Sequence, residues 1–191
     1  MYTFTIFLSL WARILIPFLF PDAAAVNANA PAPPVEEILV DQVRWSPDRR
    51  LSWDDFKALP DEENAHHALT AANLAVNARC LDSGFTYQVS CVFLPTQSWT
   101  KNTKSKKLLK HEQLHFDLTE VHARQLRKKL ELFSCADVKS KLSGTVTSAF
   151  AQWKAEQDAF DTACKHGLNA KEERLWAADI AQRLQELEAY K

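Results

Sequence analysis

The sequence predicts an α+β domain in which a small antiparallel sheet or hairpin packs on a helical half. Two observations carry this. β-branched and turn residues concentrate between Val35 and Trp99, and from about Thr103 onward apolar residues recur at helical spacing with few breaks. A chain of 191 residues with 47% hydrophobic content has room for one domain with a proper core.

The first residues stand apart from that domain. Ile6 to Phe20 is an apolar run followed by Pro21-Asp22-Ala23-Ala24-Ala25, which offers an Ala-x-Ala cleavage site after Ala25 and reads as a signal peptide over 1–25. Arg13 inside the run and the lack of basic residues ahead of it leave an uncleaved anchor as the alternative. Residues 26–34, rich in Ala and Pro, make a linker, so the folded domain is expected over 35–191. The chain is thus expected to be secreted or periplasmic, monomeric and without a stable membrane span once the signal is removed.

Within the domain, Ile38-Leu39-Val40 has the composition of a first strand. Leu51 to Phe56 predicts a short helix capped by Ser52 and ended by Pro60. Leu74-Ala75-Val76 and Phe85 to Leu94 flank the turn signal Leu81-Asp82-Ser83-Gly84 and predict a hairpin. Three helices follow, from near Ser105 to Phe133, from about Val138 to Lys165, and from about Ala170 to Tyr190, with Gly167 marking the second stop.

The near balance of 23 basic and 24 acidic residues gives no field to attract nucleic acid. The run Lys101, Lys104, Lys106, Lys107, Lys110 reads as a solvated loop and helix start. Four cysteines in an exported chain predict two disulfides, and the absence of C-x-x-C spacing argues against cysteine ligation of zinc. A regular hairpin puts Cys80 opposite residues near 86, so hairpin-to-helix bridges are favoured over Cys80 to Cys91.

The chemistry is concentrated in Leu108-Leu109-Lys110-His111-Glu112-Gln113-Leu114-His115, which contains H-E-x-x-H within a leucine-spaced helix. Residues four apart share a helix face, so His111 and His115 can bind one Zn²⁺ while Glu112 accepts a proton from an attacking water. A third ligand is needed. His122 lies roughly 10.5 Å along the helix axis from His115, too far to share a metal, and Glu120 faces away. Asp161 and His166, on a later helix, are the better candidates; His166 also suits a plain helix-terminal cation beside Gly167. His66-His67 reads as surface, and Trp53 and Trp99 as packing residues.

Taken together, Arg50 to Phe56, Ser98-Trp99, Leu108 to Asp117, and Asp161 to His166-Gly167 resemble the bacterial domain of unknown function 922, a family described as predicted secreted zinc-dependent proteases. The resemblance implies that Phe116-Asp117 is a family feature and that Asp161 and His166 belong to the site, in a pattern similar to Tyr-Asp-x-x-Thr-x-His-Gly. This chain has Phe160 and Cys164 where that pattern has Tyr and Thr. The expected assignment is His166 as third ligand with Asp161 orienting it, the reverse being the alternative; Asp117 either orients a ligating histidine or sits on the helix surface.

The function expected from the sequence is a zincin-like peptidase acting on a peptide or protein substrate. A zinc-containing envelope binding module without activity, or a zinc amidase acting on cell-wall peptides, are the alternatives.

Overall fold

The computed structural model describes residues 3–6 and 41–191. Six strands come first: β1 (Thr3–Ile6), β2 (Val43–Arg44), β3 (Ala68–Leu69), β4 (Ala72–Leu81), β5 (Gly84–Phe93) and β6 (Trp99–Thr100). Helices α1 (Lys106–Leu130), α2 (Cys135–Asp137), α3 (Ser143–Cys164) and α4 (Ala170–Glu186) follow. The result is an α+β fold with two small antiparallel sheets, one in the order β1-β4-β5-β2 and one pairing β3 with β6.

The hairpin forms as its alternation dictates. β4 and β5 pair from Ala72 opposite Phe93 to Leu81 opposite Gly84, so Asp82 and Ser83 make a two-residue turn and Cys80 faces Phe85. The expected strand Ile38–Val40, the linker and most of the expected signal peptide lie outside the described residues. From that N-terminal segment, Thr3–Ile6 form β1 along the edge of β4. The short helix is a single 3₁₀ turn, Trp53–Asp55, where the Ser52 amide donates to Asp55 Oδ2 at 2.8 Å. The second long helix is helical from its expected start near Val138, but its first turn, Val138–Leu142, is π-helical and joins α2 to α3. Among the described residues, no helix is long and apolar enough to cross a membrane.

Helix α1 is the centre of the molecule. One of its sides, through Phe116, Ala123, Leu126 and Leu130, packs on Leu74, Val76 and Ala78 of β4 and Val89, Cys91 and Phe93 of β5. The other, through Leu114, Leu118 and Val121, meets Phe160 and Cys164 of α3 and Ile180 of α4. A helix covered on both sides must also bury polar side chains, and each needs a partner to offset desolvation. Gln113 Oε1 accepts from the Leu51 amide at 2.7 Å, and Arg124 donates to Glu120 at 3.0 Å and to the Leu184 carbonyl at 2.6 Å. Arg127 donates to the carbonyls of Val89 and Tyr190, both at 2.9 Å. These two arginines fix α4 and the C-terminal turn onto α1. His122 bonds Glu156 at 2.7 Å, away from the motif histidines, as its spacing requires. Burial works to raise the Glu156 carboxyl, but hydrogen bonds from His122 and Arg183 hold it down to about 2.

A single disulfide, Cys80–Cys135, ties the end of β4 to α2, a hairpin-to-helix bridge closing 55 residues. Chain-entropy arguments put its contribution at about 4 kcal/mol. The expectation of a second disulfide is corrected: Cys91 and Cys164 are free and buried. The reason is topological, since Cys91 packs in the sheet-side cluster and Cys164 in the cluster between α1, α3 and α4.

Candidate metal centre

His111 and His115 stand one turn apart on α1 with ring centroids 4.9 Å apart. Phe160 of α3 wedges them, stacked on His111 at 4.7 Å and edge-on to His115 at 4.8 Å. The next residue, Asp161, therefore arrives between the two rings. Its Oδ1 lies 3.0 Å from His111 Nε2 and 3.1 Å from His115 Nε2. The three possible ligand atoms of His111, His115 and Asp161 all lie within 4.8 Å of one another. Two imidazole nitrogens and a carboxylate oxygen are a donor set suited to zinc.

The electrostatics fit a cation. Burial acts to raise the Asp161 carboxyl, yet hydrogen bonds from His111 and His115 hold it well below the usual carboxylate range. For His115, burial acts to lower the pKa; the hydrogen bond and charge of Asp161, the charge of Glu112 and the Gln157 hydrogen bond outweigh it and lift the imidazole to about 9. A proton on His115 would balance the Asp161 charge, and a cation binding there would have to displace it.

Glu112 is buried, and its Oε2 accepts a hydrogen bond from Thr70 Oγ1 at 2.7 Å. It lines the same cleft as His111, His115 and Asp161, a space of about 200 Å³ whose walls include Leu108, Trp153 and Ala72.

The geometry brings Asp161, not His166, between the two motif histidines. Lys165, His166 and Gly167 all have left-handed φ values, 49°, 51° and 81°, so α3 ends at Cys164 and His166 sits on the turn that follows, still at the wall of the cleft. His166 is 53% exposed, with Nδ1 3.3 Å from Asp161 Oδ1 and its ring against His66 at 4.4 Å. His66 and His67, expected at the surface, line the rim of the same cleft beside His166; His67 is exposed and His66 half-buried.

Asp117 does not hold either motif histidine. It lies about 240° around the helix from His111 and so faces the stretch that holds Trp45 and Arg50. There its carboxylate accepts from Trp45 at 2.8 Å, Arg50 at 3.0 Å and Gln113 at 2.8 Å.

Three residues at the site escape sequence reasoning: Thr70, which holds Glu112, and Gln157 and Glu173, which approach the histidines. Gln157 Oε1 lies 2.6 Å from His115 Nδ1, while Gln157 Nε2 donates to the His115 carbonyl and to Thr119 Oγ1, both at 3.0 Å. Its position four residues before Asp161, on the same face of α3, is the signal that could have found it. Glu173, in the first turn of α4, points Oε2 at His111 Nδ1 across 3.7 Å. Nothing in the sequence marks it, because an acid in a first turn is already favoured by the helix dipole. Gly167 makes the approach possible: a Cβ there would sit 3.3 Å from His111 Cγ, at a backbone conformation that L side chains rarely adopt.

No curated protein and no solved structure matches the chain. A family described as bacterial protein of unknown function, DUF922, matches residues 58–167. That stretch exceeds half of the sequence and carries Thr70, His111, Glu112, His115, Asp161 and His166. The chain therefore belongs to the DUF922 family of bacterial proteins of unknown function.

Proposed function

We propose that the chain is an exported zinc-dependent peptidase that hydrolyses peptide bonds by attack of water. The observation that carries this reading is the convergence of His111 Nε2, His115 Nε2 and Asp161 Oδ1 in the cleft that also holds Glu112. Those three residues would hold the ion. Three protein ligands leave an open position, the arrangement of catalytic sites, whereas a fourth would close it as in structural ones. When bound, zinc supplies Lewis-acid polarisation of the carbonyl and lowers the pKa of water.

The chain's own residues do the rest. Glu112 accepts the proton of the attacking water and returns it to the leaving amine, as a general base and then acid. Thr70 donates to Oε2 and fixes the carboxylate, leaving the other oxygen for the proton. Gln157 orients His115 through Nδ1. The disulfide and the apolar N-terminal run support an exported location.

Incubation of the zinc-loaded chain with a peptide library and with cell-wall peptides, read by mass spectrometry, tests the reading. Products are expected that vanish with a chelator and return with added zinc. Cell-wall products alone would make it an amidase, and no products from either set would make it a binding module.

A further inference from the structure

The family match ends at residue 167, yet α4, which lies beyond it, brings a buried carboxylate to the first histidine of the motif. Glu173 is 4% exposed, and its Oε2 has no hydrogen-bond partner; His111 Nδ1 is buried without one as well. The two orphaned atoms face each other across 3.7 Å. A buried carboxylate oxygen without a donor costs stability, and the helix start does not need it: the Asn169 side chain caps α4 by accepting from the Glu172 amide.

We infer that Glu173 is a positioning residue for His111, which makes α4 a working part of the metal site; this rests on the metal-centre reading. His111 Nε2 points to Asp161, so to offer its lone pair to a cation there the ring must carry its proton on Nδ1. Glu173 is the acceptor on that side. A movement of about 0.7 Å brings the pair to ordinary hydrogen-bond length. Gly167 leaves the gap clear for it, since a Cβ at that position would stand 3.7 Å from Glu173 Oε2 and 3.3 Å from the His111 ring. Metal binding therefore satisfies a polar pair that the metal-free fold leaves open.

The test compares the full chain with Glu173→Ala and the isosteric Glu173→Gln. Three quantities are measured: zinc affinity by competition with a chromophoric chelator, the Tm of the metal-free form, and the imidazole ¹⁵N shifts of His111 in the zinc-loaded form. Glu173→Ala should weaken zinc binding by about 10–100-fold. Glu173→Gln should weaken it less, because the amide oxygen still accepts from Nδ1–H. Glu173→Gln, which keeps the volume and removes the buried charge whose Oε2 has no donor, should not lower the metal-free Tm, and the wild-type spectrum should show the proton on Nδ1. Variant affinities within twofold of wild type would overturn the inference alone, as would a lowered Tm with unchanged affinity, the mark of a merely structural residue. A wild-type chain that binds no zinc would overturn the metal-centre reading with it.

Discussion

His115→Ala and Asp161→Ala are each expected to weaken zinc binding by about 100-fold or more. Four-ligand zinc sites bind with about 10–16 kcal/mol, so one ligand is worth roughly 3 kcal/mol, and each 1.4 kcal/mol is tenfold in affinity. His166→Ala should cost far less, because its ring is half-exposed and stands outside the group of convergent ligand atoms. The variants also differ in pH dependence. In the wild type, zinc competes with a proton on His115 whose pKa is raised to about 9, so affinity rises with pH up to that value. The same raised pKa stabilises the metal-free fold fully below about 6.5, a contribution lost as pH rises through about 9. Asp161→Ala removes the main group that lifts His115, so both dependences should move to lower pH. Chelator competition at several pH values, with circular dichroism to verify folding, measures all of this. Strong zinc loss in His166→Ala with none in Asp161→Ala would reinstate the ligand order expected from the sequence.

Glu112→Gln is expected to leave zinc in place and reduce peptide cleavage by about 10²–10⁴-fold, the usual contribution of a general base. The substitution keeps the shape of the side chain, and the amide oxygen can still accept from Thr70, which donates to Glu112 Oε2 at 2.7 Å. What disappears is the capacity to take a proton. Rates on the best library substrate, measured at equal zinc occupancy, give the comparison; cleavage within a few-fold of wild type would remove Glu112 from the proposed role.

Much of this was legible because the signals are local. The two-residue turn at Asp82-Ser83 and the period of residues 106–130 each follow from nearest-neighbour chemistry, and the H-E-x-x-H spacing fixes two imidazoles on one face wherever the helix forms. The third member was ambiguous for a physical reason. Asp161 and His166 are separated by one helix end, and which of them faces α1 depends on the left-handed turn at Lys165–Gly167, of which only Gly167 gives notice. Asp117 shows the opposite case: its helical phase alone turns it from the histidines, but its partners Trp45 and Arg50 are distant in sequence. The single disulfide was hidden for a similar reason, since an even count of cysteines does not reveal that Cys91 and Cys164 occupy separate clusters. Glu173 was hidden because a first-turn acid already has a sufficient local explanation.

The central claim is that His111, His115 and Asp161 hold one catalytic zinc. X-ray absorption at the zinc edge of the purified, zinc-loaded chain tests it most directly. One zinc per chain is expected, bound at about 2.0–2.1 Å by nitrogen and oxygen donors with two imidazoles among them, with loss of one imidazole signature in His115→Ala. Sulfur donors at about 2.3 Å, or a zinc environment unchanged in His115→Ala and Asp161→Ala, would contradict it.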